Sequence, residues 1–316
     1  MITVVSMVKN AADVIEVMMR ANSLIADSFV IIAHDNNDRT DEILDLMVHE
    51  GFKIRIIRDN DHFYNQNEKM MRAIKLAVEE FHPDFILPLD DDEIICSDRD
   101  DMDHLNIKES VSGLDGDNLY YVSWRNYIPT EEDDQNERCI TKREQFCFDD
   151  EPYTTKKVLI PFKIATAADF RISMGNHDAD SSIIRNRVNL KDLRIAHYPI
   201  RSAEQVASKA LVGWMNYLTM PNKEPEAGYH WQRMAEAVKS GGLPSIDMMQ
   251  AMCTLYREYP NDTEHLNIIK HPLNLPDECT NLKYTSLTEV NALRNVYCNA
   301  ESIAREYASL YSRKKV

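Results

Sequence analysis

Between Ile2 and Leu89, short apolar runs alternate with amphipathic stretches, and this alternation constrains the fold more than any other feature. "ITVVSMV" (Ile2–Val8), "FVIIA" (Phe29–Ala33), "KIRII" (Lys53–Ile57) and "FILPL" (Phe85–Leu89) are short and rich in apolar, often β-branched residues, as strands buried on both faces are. In the first link Val14, Ile15, Met18 and Met19 share one helical face. In the second, "DRTDEILDLMVHEG" reads as a helix capped by Asp38 and ended by Gly51. The third has Asn65 at its cap and Glu68 three residues on. Met70, Ile74, Ala77, Val78 and Phe81 follow at helical spacing before Pro83. Strand–helix alternation with links this short predicts an α/β fold with a mostly parallel sheet covered on both faces. Ligands of such sheets bind outside the carboxyl ends of the strands.

Two acidic stretches fall at that edge: "HDNND" (His34–Asp38) after the second strand and "DDDE" (Asp90–Glu93) after the fourth. Four acids in a row repel one another, so either water on a solvated face or a metal ion must compensate them. Asp90 and Asp92 have D-x-D spacing at the end of a buried strand, where two carboxylates can point the same way. Hard cations such as Mg²⁺ and Mn²⁺ take one or two carboxylates together with substrate phosphates. The apolar entry and the apolar exit "II" favour the metal over the solvated face. Other chemistries lack their signatures: no G-x-x-x-x-G-K-[ST] run and no G-x-G-x-x-G occurs. Glu93 and Ile94 stand where a phosphoaspartate phosphatase would carry a different pair, and "SMVKNAAD" lacks the Gly-rich basic loop of a sugar-phosphate nucleotidyltransferase.

The chain has 316 residues, 44% of them hydrophobic, enough for one large domain or two smaller ones. A formal net charge of -16 makes nucleic acid a poor partner and means that a bound phosphate would bring a cation with it. Six scattered cysteines without a C-x-x-C pair read as reduced thiols of a cytoplasmic protein. "MITVVSMVKN" reads as a strand and not as a signal peptide, and no stretch is apolar for the roughly 18–20 residues a transmembrane helix needs. "LYYVSW" (Leu119–Trp124) and "VLIPFKI" (Val158–Ile164) read as strands flanking a long polar loop, and from Ser202 the chain turns helical. In the last helix Val290, Leu293, Tyr297, Ala300, Ala304, Tyr307 and Tyr311 form a seam at three- and four-residue steps. That seam is expected to pack on the body, with a homodimer as the alternative. The basic "SRKK" after it is a frayed tail or a point of peripheral membrane contact.

Five short motifs occur in order: "MVKNAAD" (Met7–Asp13), "HDNNDRTDEI" (His34–Ile43), "LDDDEII" (Leu89–Ile95), "SMGNHDAD" (Ser173–Asp180) and "HYPIRSAEQ" (His197–Gln205). Together they resemble the family 2 glycosyltransferases of the GT-A fold. More narrowly, they are similar to a bacterial branch that carries "vKNE", "DN.S.DgT", "LDaDEF", "GnH" and "HyP.RS.eQ". The resemblance covers roughly residues 1–215. It implies a Rossmann-like, mixed and mostly parallel sheet over residues 1–200, and a helical region over 201–316. It also implies a nucleotide-sugar donor, a glycan or glycolipid acceptor, and an inverting transfer. Such a protein would make cell-surface polysaccharide in the cytoplasm, at the inner face of the membrane.

Carried over by position, the resemblance sets Asp35 against the nucleotide base and ribose, with Asp38 nearby. Asp90 and Asp92 would hold Mn²⁺ or Mg²⁺ across the diphosphate, and His177 would be a distal ligand. His197 and Arg201 would lie near the site, the arginine available for a phosphate or an acidic acceptor. There are departures. The loop after Asp35 is shorter, Ala11 replaces a glutamate, and Ile94 replaces a phenylalanine. Asp91 stands where a small residue is usual, and it reads as solvent-facing.

An inverting transfer also needs a carboxylate to take the acceptor's proton. Asp149, Asp150 and Glu151 in "FCFDDEP", and Asp178 and Asp180 beside His177, are the candidates. The choice among them stays open, and each also reads as a surface acid. Gln66 and Lys69 are candidates for a phosphate contact or a solvated helix face. Trp124 and Tyr127 are candidates for stacking on a sugar or for the core, and His197 also reads as the end of a strand. Two functions of other classes stand beside this one: a non-catalytic sugar-nucleotide or protein-binding module, and a metal-dependent phosphoesterase.

Overall fold

Ile2–Val8 forms β1, buried along its whole length, and Ile15–Asn22 forms α1. Ser28–His34 (β2), Thr40–Glu50 (α2), Ile54–Asp59 (β3), Gln66–Phe81 (α3) and Phe85–Pro88 (β4) complete the alternation. The computed structural model describes residues 1–61, 65–98, 104–149, 154–220, 229–257 and 267–313. The first four strands pair in parallel in the order β3–β2–β1–β4, so their carboxyl ends share one edge. Alternate residues of a strand face opposite sides. Val4 and Val8 therefore pack with Ile15, Met18, Ile43 and Met47 on one face, while Val5 and Met7 pack with Met70, Ala73 and Ile74 on the other. Each such large apolar side chain contributes about 1.5–3 kcal/mol when fully buried, which explains why these strands are continuously apolar.

Gly51 ends α2 in the left-handed conformation, φ 107°. Asp38 is not the cap of that helix; Arg39 holds the capping position. Asp38 instead accepts hydrogen bonds from Ala12 N (3.1 Å), Thr40 N (2.9 Å) and Thr40 Oγ1 (2.6 Å). It thereby ties the loop after β2 to the loop after β1.

Glu93–Ser97 (β5) follows the acid run. His104–Ser112 (α4), Asn118–Ile128 (β6), Ile140–Arg143 (α5), Phe146–Phe148 (β7), Lys156–Pro161 (β8) and Phe162–Ala165 (α6) come next. Arg171–Ile172 (β9) and Ala179–Asp180 (β10) form a small separate pair, and Asn186–His197 is β11. β8 joins β4 to β6 by antiparallel pairing, and β7 and Ile268–Lys270 (β12) extend the sheet beyond β6. β11 runs parallel to β6 and antiparallel to β5. The sheet is therefore mixed, parallel through its first four strands, as the α/β reading required. The full length of β11 was not legible in sequence, because its first half is polar and mostly exposed and takes its strand form from pairing with β6.

Ser202 caps Ala203–Thr219 (α7), its hydroxyl accepting from Gln205 N. Tyr229–Gly241 (α8), Ile246–Cys253 (α9), Asp277–Thr280 (α10) and Ala292–Arg313 (α11) complete the chain. Val206, Ala210, Met234, Met252 and Cys253 pack around Ile128, Phe148 and Ile200, seating the helices on the sheet. The seam predicted for α11 does not pack on the body: Leu293 is 80%, Tyr297 68% and Tyr307 69% exposed. Two polar contacts to α7 hold the start of the helix instead. Asn295 and Asn299 are buried, Asn295 Nδ2 donates to Ser208 Oγ (3.0 Å), and Ala292 N donates to Glu204 Oε2 (2.6 Å). Tyr311 has no described side-chain environment. Among the described residues no helix is long and apolar enough to cross a membrane. No disulfide links the six cysteines.

Candidate functional site

The acid run begins where β4 stops, and its shape is set by the turn into β5. Leu89 N donates to Val5 O (3.0 Å), closing the parallel ladder, and Asp90 N donates to the carboxylate of Glu93 (2.8 Å). Asn22, the last residue of α1, holds β5 through its side-chain amide. Nδ2 donates to Glu93 O (2.9 Å), and Oδ1 accepts from Ile95 N (3.0 Å). The antiparallel register sets His197 across from Glu93, and Tyr198 N donates to Asp92 O (2.9 Å). Strand pairing thus brings the end of β11, and Arg201 just beyond it, against the acids.

Each acid has a different environment. Asp90 is half-buried; its Oδ2 lies 2.6 Å from Lys157 Nζ and its Oδ1 accepts from Gln66 Nε2 (3.3 Å). Asp92 is buried. Its Oδ2 meets Lys209 Nζ at 3.2 Å and Arg201 Nη1 at 3.3 Å, and its Oδ1 lies 3.6 Å from His197 Nε2. Burial would raise the Asp92 carboxyl, but Lys209, His197 and Arg201 outweigh it and hold it below the ordinary range. Asp91 is half-buried and faces the cavity, where sequence had it facing solvent. Burial and the adjacent Asp92 push its carboxyl up to about 7. Glu93 is fully buried 3.2 Å from Lys157, and burial raises it to about 8. Burial lowers His197 to about 3, so it is neutral at pH 7 and its contact with Asp92 is not an ion pair.

These two raised carboxyls set a pH dependence. Their ordinary values are 3.8 and 4.5, so through most of the interval up to about 8 the folded chain holds protons that the unfolded chain has lost. Unfolding then releases protons, and stability falls as the pH rises through that interval. The melting temperature is expected to drop between pH of about 6 and about 8.5, with a shallower slope in Glu93→Gln. A rising melting temperature, or an unchanged slope in the variant, would contradict the assignment.

A cavity of about 910 Å³ opens at this edge. Lys9, Asn10, Asp90, Asp91, Asp92, Gly175, His177, His197 and Arg201 line it, so four of the five motifs, far apart in sequence, converge there. The fifth approaches through Asp35, whose carboxylate and carbonyl both accept from Lys9 Nζ at 2.8 Å. Gln66 lines the cavity and bridges Asp90 to Gly175 N (2.8 Å). Gly175 takes φ 74°, and a Cβ there would stand 2.5 Å from the His177 ring, so this glycine is required by its neighbour. Beyond the acids the wall becomes apolar and aromatic, with Tyr217, Trp231, Met234 and Tyr256.

Not every nominated residue reaches the cavity. Asp38 serves the loop tie described above. Lys69 lies beneath the edge, 3.1 Å from both His34 Nδ1 and Asp59 Oδ2. Asp178 and Asp180 pair with Arg187 on the surface, and Asp149 accepts from Asn267 Nδ2 (3.3 Å). None of the last three lines the cavity. Asp150 and Glu151 lie outside the described residues. Trp124 is buried yet lines the cavity, stacked on His197 at 4.0 Å, whereas Tyr127 is core, stacked on Tyr198 at 4.5 Å.

The set nominated for Mn²⁺ or Mg²⁺ does not fit such an ion as it is arranged. A metal ligand needs lone pairs facing the ion, but both Asp90 oxygens carry protein donors and Asp92 Oδ2 carries an ammonium and a guanidinium. His177 Nδ1 is engaged with Lys156 O (2.9 Å), which leaves Nε2 as its possible ligand atom, and its ring stands edge-on to Trp124 at 5.4 Å. A dication placed here would meet the attraction of the acids but also the repulsion of Lys157, Lys209 and Arg201, which already occupy them. One like-charged unit pair at 4 Å costs roughly 4 kcal/mol at an effective dielectric of 20. Among the described residues no group of three His, Cys, Asp or Glu is arranged to hold a metal.

Lys157 and Lys209 are charged site residues that the sequence reading missed, as are Lys9 and the wall residues Trp231 and Tyr256. Lys157 stands in the apolar run "KKVLIP", and Lys209 on the α7 face that also carries Gln205, Val212 and Asn216, all of which line the cavity. Lysines interrupting an apolar strand or helix face were the available signal.

No family model matches the chain, and no curated protein matches it. Among solved structures, TarS of S. aureus in complex with UDP aligns with a TM-score of 0.40 at 12% identity, over 76% of this chain and 72% of that one. HddC from Yersinia pseudotuberculosis gives 0.34 at 12% identity, over 62% and 93%. Glucosyl-3-phosphoglycerate synthase from Mycobacterium tuberculosis, in complex with Mg²⁺ and UDP, gives 0.35 at 14% identity, over 77% and 80%.

Proposed function

We propose that this chain is a glycosyltransferase that moves a sugar from a nucleoside-diphosphate donor to a glycan or glycolipid acceptor with inversion. The observation that carries the reading is the convergence of four sequence motifs on one cavity at the carboxyl edge of a parallel sheet. In this reading residues 1–200 form the GT-A body and 201–316 a helical region that closes its acceptor side. The donor occupies the end lined by Lys9, Asp90–Asp92 and Arg201, with Asp35 behind Lys9 toward the nucleoside. The acceptor enters over the aromatic wall of Trp124, Tyr256 and Trp231, apolar faces on which a sugar ring can stack.

The acceptor oxygen attacks the anomeric carbon, the carbon–oxygen bond to the diphosphate breaks, and its electron pair leaves with the diphosphate. The acceptor's proton passes to a carboxylate. Asp150 and Glu151 are the acids we nominate, since they stand shortly before the wall residue Thr155 in the chain.

The test is incubation with a panel of nucleotide sugars in the absence of acceptor, with the products identified. Slow formation of free sugar and intact nucleoside diphosphate is expected. Release of inorganic phosphate would mean a phosphoesterase, and binding without any turnover would mean a binding module.

A further inference from the structure

We propose that Lys209, held in place by Asp92, binds the diphosphate of the donor and serves where a divalent cation would otherwise stand. This inference rests on the donor reading above. It begins from the mismatch between the nominated metal ligands and their surroundings. Asp92 sits on the wall at the expected point of a D-x-D, yet it is buried, with Oδ2 turned to two protein cations and Oδ1 to the neutral His197 ring. Beside the acids, this cluster presents two cations to the cavity, Arg201 and Lys209.

The two cations are not equivalent. Arg201 is 5% exposed and spends its donors within the protein. Nε and Nη2 go to Asp13 (2.7 and 3.1 Å), and Nη1 goes to Asp92 and to Tyr198 O (3.0 Å). Lys209 has a side chain one-third exposed and lines the cavity, and among the described residues its ammonium donates to Asp92 Oδ2 and meets the Tyr256 hydroxyl. An ammonium has three donors, so with Asp92 and Tyr256 engaged one is still available to a phosphate oxygen. Tyr256 supports it from the side, its ring centroid 5.6 Å from Nζ. α7 is capped by Ser202 directly after Arg201, which fixes the phase that brings Lys209 onto the acids.

Asp92 is then a positioning residue. It holds Lys209 and Arg201 at the wall and keeps Lys209 protonated, its pKa raised above the ordinary value by the adjacent carboxylate despite burial. During transfer Lys209 keeps its proton; it neutralises the charge that arrives on the diphosphate oxygens, as a bound metal would.

The test is calorimetric binding of UDP, GDP, CDP and dTDP to the full chain, in EDTA and in Mn²⁺, for wild type, Lys209→Met and Lys209→Arg. The nucleotide that binds is expected to show the same Kd in both buffers within about twofold. Lys209→Met is expected to weaken it by about tenfold or more, with the melting temperature as a check on folding, while Lys209→Arg retains most of the affinity. Binding that requires Mn²⁺, or an unchanged Kd in a folded Lys209→Met, overturns the inference and leaves the donor reading intact. Failure of all four nucleotides in both buffers overturns the donor reading itself.

Discussion

Lys157→Met is expected to lower the free energy of unfolding by about 3–5 kcal/mol, the cost of breaking a buried ion pair from one side. Lys157 is fully buried, and its ammonium satisfies three groups at once: Asp90 Oδ2 at 2.6 Å, Gly175 O at 2.7 Å and Glu93 at 3.2 Å. Methionine matches its length and packing but supplies neither charge nor donor. Asp90 is left with the Gln66 amide, the Gly175 carbonyl loses its partner, and Glu93 is driven further toward its neutral form. Asp90 and Glu93 help to raise the lysine's own pKa against burial, so the charge is present at neutral pH. Urea unfolding at pH 7 measures the loss. The double variant Lys157→Met/Asp90→Asn should recover part of it, because the stranded charge is removed as well. A loss under about 1 kcal/mol would mean that the cluster is neutral without the lysine.

Glu16→Ala is expected to cost a similar amount, about 3–5 kcal/mol, at a place far from the cavity. Glu16 is fully buried in α1 and accepts from Arg20 Nε (3.0 Å) and from the backbone N–H groups of Lys283 (2.7 Å), Tyr284 (2.9 Å) and Thr285 (2.8 Å). Arg20 in turn grips Glu50 with both Nη atoms, at 2.9 and 2.7 Å. One carboxylate therefore fastens the returning C-terminal segment to the first helix. Burial alone would raise its pKa, but the three backbone donors and Arg20 bring it below the ordinary value. A carboxyl lowered on folding stabilises above its unfolded pKa, and that stability is lost as the pH falls through the folded value. The difference between wild type and variant should accordingly shrink in acid. Hydrogen exchange at the amides of 283–285 should speed up in the variant at neutral pH. Protected amides at those positions would rule out the clamp.

The parts of this molecule that were legible in sequence are those governed by neighbours along the chain. β1 begins and ends where its apolar run does, α2 stops at Gly51 because a left-handed residue is needed there, and the acids fall at the carboxyl edge because β4 runs into them. Period, turn chemistry and strand order follow from backbone geometry within a few residues of each position. Other features depend on partners that only the folded chain brings near. Lys157 meets Asp90 across 67 positions and Lys209 meets Asp92 across 117, so sequence alone presented the acids as uncompensated. The outer half of β11 needed β6 beside it, and α11 turned Asn295 inward, where it donates to Ser208, while Glu204 accepts from the backbone of Ala292. Sequence by itself determined a parallel α/β edge bearing carboxylates. The tertiary structure decided which charges face them, since a carboxylate's state depends on burial and on cations within a few ångströms, and those arrive through folding.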